Sequence, residues 1–210
     1  MINTVIFDFD GTLANTNQMI LNSFKHIYSV FHKKDLDEKY VMSTFGEPLY
    51  LTLSRDFGDF NFEDVIACYR EYQVNRFNDE VTLYETVEET LEYLKSKNIK
   101  MGIATSRLKN STESALENFK IANYFDVIVA ADDVEKHKPD KEPLIKAINV
   151  LNSSPENTLY VGDSRFDMEC ALNANATPAL AGWQFGSEDL AKKYNIKYVL
   201  EKMWDVTQII

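Results

Sequence analysis

The chain has 210 residues, with 22 Lys and Arg against 33 Asp and Glu for a formal net charge of -11, a balance that argues against nucleic acid as a partner. Its 45% hydrophobic and 12% aromatic residues suffice for one large domain or two small ones and exclude a disordered or collagen-like chain. No apolar run nears the length of a membrane span, and Asp8 and Asp10 arrive before any secretion-type apolar stretch, so a cytoplasmic protein away from membranes is expected.

Residues 4–9 form a short β-branched and aromatic run that breaks into Asp10-Gly11-Thr12, the pattern of a buried strand emptying into a loop. From about Asn15 to Asp79 the periodicity turns helical. Ile20, Phe24, Ile27, Tyr28 and Phe31 line one stripe, and Phe62, Val65, Ile66, Tyr69 and Tyr72 line another. So long a helical block is too large for a loop and predicts an inserted helical domain over residues 15–79, with 1–14 and 80–210 forming the rest. Strand-like runs follow at residues 99–105, 125–130, 158–161 and 177–181. Between them lie helix-like stripes at Leu83-Val87-Leu91-Leu94, Ala115-Leu116-Phe119 and Leu144-Ile145-Ile148-Leu151. Strand and helix in alternation predict an α/β fold with a parallel sheet and right-handed crossovers. Cys68 and Cys170 stand 102 positions apart in helix-like segments and are expected as free thiols in a reducing compartment.

In open α/β sheets ligands bind at the carboxyl ends of the strands, which gives weight to the polar residues there. Asp8 and Asp10 end the first strand, and Thr105-Ser106-Arg107 the second. Lys138-Pro139 follows the third, and Gly162-Asp163-Ser164 ends the fourth with Asp167 close behind. Taken singly, Asp163 and Thr105 also read as helix N-caps and Lys138 as a surface lysine. Asp8 is different, because an acid in an apolar strand is costly to bury unless it is paired or bound to metal. Three converging carboxylates repel one another unless a divalent cation neutralises them, and an all-oxygen ligand set suits Mg²⁺ better than zinc. Carboxylates around such a metal, beside a lysine and a hydroxyl, suit phosphoryl transfer. One carboxylate can then attack phosphorus while a second serves as acid and base.

Asp8-Phe9-Asp10-Gly11-Thr12-Leu13, Thr105, Lys138-Pro139 and Gly162-Asp163-Ser164-x-x-Asp167, at spacings of 97, 33 and 25 residues, resemble in order the four motifs of the haloacid dehalogenase superfamily. The resemblance implies a Rossmann-like core, and the helical insert after the first motif is similar to the C1 cap of that family. It further implies Asp8 as nucleophile and Mg²⁺ ligand, and Asp10 as general acid and base whose backbone carbonyl also meets the metal. Asp163 would ligate Mg²⁺ directly. Gly11, Thr12, Thr105, Ser106, Arg107 and Lys138 would bind the phosphoryl group and substrate, Lys138 also neutralising the nucleophile. Asp167 would act through water or by orienting its neighbours. The second Asp favours phosphoryl transfer over dehalogenation, which has no leaving oxygen to protonate.

Within the capped branch the chain is similar to bacterial inorganic pyrophosphatases of the superfamily, on Tyr84 to Leu91, Asp132-Asp133-Val134 and Leu200 to Met203. Glu85-Thr86 stands where phosphoglycolate phosphatases usually carry Pro-Gly. The expected substrate is a small anionic phosphate compound, either pyrophosphate or a phosphomonoester such as phosphoglycolate, and a sugar phosphomutase shares the same motifs. A receiver-type signalling domain, which places its phosphorylated Asp on a middle strand and carries no cap, fits the motif order poorly. Gly46 lies in a Gly-x-Pro-Leu stretch similar to that of family caps, where it would approach the ligand; a plain turn before a helix at Pro48 is the other reading. Arg107 and Lys109 could each steer an anion or lie on a helix surface. Trp183 is expected at a sheet edge. Monomer and dimer both stay open.

Overall fold

The structure, a computed structural model, describes residues 1–184 and 186–210. Strand β1 (Thr4–Phe7) is followed by a short β2 (Ala14–Asn15) and a run of helices: α1 (Asn17–Ile27), extended by a π-helical turn over Tyr28–His32, α2 (Glu38–Met42), α3 (Leu49–Asp56) and α4 (Phe62–Glu80). Strand β3 (Thr82–Leu83) returns antiparallel to β2, pairing Ala14 with Leu83 and Asn15 with Thr82. Helix and strand then alternate through α5 (Val87–Ser96), β4 (Lys100–Ala104), α6 (Lys109–Asn118), β5 (Val127–Val129), α7 (Glu142–Val150), β6 (Thr158–Gly162), α8 (Arg165–Asn173), β7 (Thr177–Ala181), α9 (Ser187–Tyr194) and β8 (Tyr198–Leu200).

The six longer-range strands pair in the order β5-β4-β1-β6-β7-β8, and every pair is parallel. This is the expected α/β fold. All four residues of β1 are buried, as they must be in a strand covered on both faces. Successive side chains point to opposite sides of the sheet. Val5, Phe7, Ile103, Leu159 and Val161 accordingly meet Leu91, Leu94 and Leu116 on one face, while Ile6, Ala104 and Tyr160 meet Leu144, Ala147 and Ile148 on the other. Each fully buried aliphatic or aromatic side chain contributes about 1.5–3 kcal/mol.

Helices α1 to α4 bury a separate cluster containing Phe24, Ile27, Tyr28, Val41, Leu53, Val65 and Tyr69, with Phe24 and Tyr69 edge to face at 5.4 Å. Asn61 caps α4 by accepting from the Asp64 N–H, and Glu63 and Asp64 complement the positive end of the helix dipole. The helix ends at Glu80, one residue past the expected boundary. Leu83 departs from the expected helix stripe: it lies in β3, and α5 starts only at Val87 because Thr86 takes a left-handed conformation at φ 63°. Strands β2, β3 and β8, of two or three residues, are too short to carry a readable period. Cys68 and Cys170 are free thiols, as expected. Among the described residues no helix is long and apolar enough to cross a membrane.

Candidate active site

The topology explains why distant residues meet. Strand β1 lies between β4 and β6, and Asp8, Thr105 and Asp163 are each the first residue past the end of one of these three strands. Adjacent strands lie about 4.8 Å apart, so side chains leaving their carboxyl ends share one small volume. The sheet also changes winding direction there, since the chain passes from β1 to β4 on one side and later to β6 on the other. A cavity of about 620 Å³ opens at this edge. Its floor includes Asp8, Asp10, Thr105, Ser106, Arg107 and Asp163, and its roof includes Phe24, Gly46, Tyr69 and Phe77 from the helical insert and the loops between its helices.

Below the floor lies a buried ionic centre. The Lys138 ammonium donates to Asp167 Oδ1 at 2.6 Å and to the Tyr160 hydroxyl at 3.2 Å. It stands 3.0 Å from Asp8 Oδ1, an ion-pair contact whose angle misses that of a hydrogen bond, and Oδ1 has no hydrogen-bond partner. Burial disfavours the ammonium, yet the Asp167 and Asp8 charges outweigh it and hold the lysine pKa above its usual value. For Asp8, burial dominates and pushes the pKa up to about 7 although Lys138 pulls the other way; the neighbouring Asp167 and Asp10 charges add to the rise. Burial, reinforced by Asp167 and Asp8, drives Asp163 well above the ordinary carboxylate range. Asp167 goes down despite burial, because Lys138 and Ser164 stabilise its charge.

Asp167 is saturated. Oδ1 accepts from Lys138 and Tyr160, and Oδ2 from the Ser164 N–H at 3.0 Å and the Ser164 hydroxyl at 2.5 Å. Ser164 and Asp167 form the capping box of α8, so the cap is Ser164 and Asp163, one residue earlier, is left to face the cavity. Thr105 is not a cap either: it is buried, and its hydroxyl accepts the Arg107 N–H at 3.2 Å. Thr12, also buried, stands with its hydroxyl 3.5 Å from Asp163 Oδ1.

Several expected residues have partners within the protein. Lys138 stands behind Asp8, with its side chain 1% exposed. The Gly11 N–H is used by the Ala14 carbonyl, and its φ of 75° together with the 2.3 Å from an added Cβ to Asp163 Oδ2 makes glycine obligatory there. The Thr12 N–H is likewise turned back to the Phe9 carbonyl. Arg107 is no surface residue: its guanidinium reaches Asp10 Oδ1 at 3.3 Å and lies against the Phe9 and Phe77 rings. Lys109 instead pairs with Asp133. Gly46, at φ 84°, accepts from the Ser106 hydroxyl at 3.3 Å, and an added Cβ would come within 2.5 Å of Ser164 Oγ, so the insert touches the catalytic edge through bare backbone.

Oxygens of Asp8, Asp163 and Asp167 lie within 4.8 Å of one another. Two buried carboxylates and one half-buried, against one ammonium, form a hard-oxygen cluster short of positive charge, which fits Mg²⁺. The Asp10 carboxylate stands outside this trio, turned to Arg107, and Asp167 takes its place there with both oxygens already engaged. Residues overlooked in the sequence stand around the centre. The one Tyr160 hydroxyl proton is shared between Asp167 Oδ1 at 3.0 Å and the Ala104 carbonyl at 2.8 Å; a hydroxylated ring inside an apolar strand was the available signal. Trp183, expected at a sheet edge, instead follows the interior strand β7 and with Gln184 reaches the Gly11 carbonyl, at 3.1 and 2.7 Å, which no local pattern announces.

The haloacid dehalogenase-like hydrolase family model matches residues 5–181. A pyrophosphatase PpaX of Bacillus mycoides (strain KBAB4) is 37% identical over 209 residues, covering 100% of this chain and 97% of its own. Two crystal structures superpose over 100% of both chains at 26% identity. One is a provisionally described phosphoglycolate phosphatase from Lactobacillus plantarum, with a TM-score of 0.88; the other is a provisionally described haloacid dehalogenase-like hydrolase from Bacteroides fragilis, with a TM-score of 0.89. With its four motifs gathered at one sheet edge and a family match over most of its length, the chain belongs to the haloacid dehalogenase-like hydrolases.

Proposed function

We propose that the protein is a Mg²⁺-dependent phosphatase that cleaves pyrophosphate or a small phosphomonoester through an aspartyl-phosphate on Asp8. The observation that carries this reading is Asp8 itself: a buried carboxylate just past the end of β1, lining the floor of the cavity, with one oxygen held 3.0 Å from a buried ammonium. A carboxylate oriented by a cation behind it, at the base of a cavity, is placed to attack an electrophile that enters from the other side. Helices α1 to α4 act as the cap, and residues 1–14 and 80–210 as the catalytic core. The likeness to a pyrophosphatase PpaX supports pyrophosphate as the first substrate to test.

In the first step the Asp8 oxygen attacks phosphorus and the bond to the leaving oxygen breaks, its electron pair departing with that oxygen. The Asp10 carboxyl supplies the proton. In the second step Asp10, now a carboxylate, takes a proton from water as the water oxygen attacks phosphorus. The bond to Asp8 breaks, returning its carboxylate and releasing inorganic phosphate. Arg107 lies on the cavity floor as well as on Asp10, so an anionic substrate competes for the guanidinium and frees Asp10 for its proton transfers. Thr105 and Ser106 offer hydroxyls to the phosphoryl oxygens. Lys138 holds Asp8 oriented from below, and Asp167 with Tyr160 holds Lys138. Asp8, Asp163 and the Asp10 carbonyl would hold Mg²⁺, which when bound neutralises the carboxylates and the phosphoryl oxygens. The apolar roof excludes bulk water during attack.

Phosphate release is to be measured across pyrophosphate, phosphoglycolate, nucleotides and sugar phosphates, with acid-quenched enzyme analysed for hydroxylamine-labile phosphate. Labelling that disappears in Asp8→Asn is expected. Undiminished turnover by Asp8→Asn removes the proposed nucleophile, and conversion of a sugar phosphate to its isomer without phosphate release assigns a mutase.

A further inference from the structure

Gln184 sits in the loop after β7, off the cavity wall, yet its carboxamide is fully used. Nε2 donates to the Gly11 carbonyl at 2.7 Å and to the Tyr84 hydroxyl at 2.6 Å, and Oε1 accepts from Asn17 Nδ2 at 2.7 Å. The orientation of the amide follows from chemistry, because a backbone carbonyl only accepts and must face the NH₂ side. The three partners belong to three functionally different places. Gly11 is in the turn directly after Asp8 and Asp10, pressed against Asp163. Asn17 is the first residue of α1, where the chain enters the helical insert. Tyr84 follows β3, where the chain leaves it, and its N–H donates to the Leu13 carbonyl at 3.0 Å. Trp183 reinforces the junction by donating to the same Gly11 carbonyl and packing on the Tyr84 ring at 5.5 Å.

The two connections to the insert and the nucleophile turn thus converge on one amide. Rigid-body rotation of α1 to α4 about the β2–β3 pair cannot occur without straining or breaking a bond to Gln184. We propose that Gln184 is a positioning residue that couples the angle of the insert to the Asp8–Gly11 turn, setting the cavity roof and the nucleophile in register. This rests on the proposed nucleophile and cap.

The test compares the parent, Gln184→Leu, Gln184→Glu, Asn17→Ala and the Asn17→Ala, Gln184→Leu double variant, by steady-state kinetics with pyrophosphate and p-nitrophenyl phosphate and by amide exchange over residues 11–14. Gln184→Leu, which keeps length and loses all three bonds, is expected to lower kcat about tenfold, the equivalent of one or two hydrogen bonds, with KM changed by less than about threefold. Gln184→Glu should fall equally, since a carboxylate has no N–H for Gly11. Asn17→Ala should cost about threefold alone and nothing further in the Gln184→Leu background. Exchange at residues 11–14 should quicken in both Gln184 variants. A kcat within about twofold of the parent, multiplicative losses in the double variant, or unchanged exchange overturns the proposal. If the parent releases no phosphate from either substrate, the hydrolytic reading fails while amide exchange still judges Gln184.

Discussion

Lys138→Met removes the single cation between Asp8 and Asp167 and leaves both carboxylates buried. The side chains involved are 1%, 5% and 0% exposed, so water cannot take over the lost partner. Deleting one member of such a buried pair costs about 3–5 kcal/mol, whereas replacing the whole group by apolar residues is often neutral. For a chain of this size each kcal/mol moves the midpoint by about 2–4 °C, so a drop of about 6–20 °C is expected. The pH dependence has a definite sign. In the parent Lys138 holds the Asp167 carboxyl below its usual value; without it both carboxyls rise above their unfolded values. The folded variant then binds more protons than the unfolded chain, so its deficit shrinks at low pH and grows as pH rises. Thermal melts followed by circular dichroism at about pH 5 and about pH 8 read this directly. A deficit below about 2 °C, or one equal at the two pH values, refutes the assignment of Lys138 as the cation that neutralises this site.

Asp8→Asn should cut phosphate release by more than about 1,000-fold without lowering thermal stability. With Asp8 pushed up to about 7, the parent's stability from this group is complete below 3.8 and lost as pH rises toward 7, so metal-free Asp8→Asn gains on the parent through that window. A melting midpoint of Asp8→Asn that falls relative to the parent's as pH rises contradicts the shift. Chelation by EDTA should silence the enzyme and Mg²⁺ restore it; Mg²⁺ should raise the melting midpoint of the parent, and an equal rise in Asp163→Asn would remove Asp163 from the metal site. Gly46→Ala, forced to φ 84° with its Cβ 2.5 Å from Ser164 Oγ, should lift the roof and raise KM for pyrophosphate more than it lowers kcat; a kcat loss with unchanged KM contradicts the contact's role in binding.

The parallel sheet was legible because each buried strand is a near-continuous apolar run ending in a polar break. The convergence of Asp8, Thr105 and Asp163 was legible too, since strand ends in such a sheet share one edge. The division of labour beneath them was not. Whether Asp163 or Ser164 caps α8 depends on which oxygen reaches the Asp167 N–H, a matter of ångströms that residue type leaves open. Arg107 reads equally as a helix-surface charge or a site residue until the Phe9 and Phe77 rings enclose it. Tyr160 meets Lys138 across 22 residues and Gln184 meets Gly11 across 173, and no periodicity encodes a partner that far away. Leu83 falls at helix spacing with Val87, Leu91 and Leu94, and two residues of β3 cannot display a strand's alternation.

The separate apolar cluster of α1 to α4 has a consequence for how this scaffold diversifies. Phe24 and Tyr69 belong to that cluster and also line the cavity, so altering their shape is absorbed by neighbours such as Val65 and Leu53, away from Leu159 and Val161 in the sheet beside Asp8. Phe77, also on the roof, packs instead with the sheet-side cluster. Selectivity for the departing half of the substrate can therefore drift by repainting a ceiling, while the machinery that handles phosphorus stays as it is.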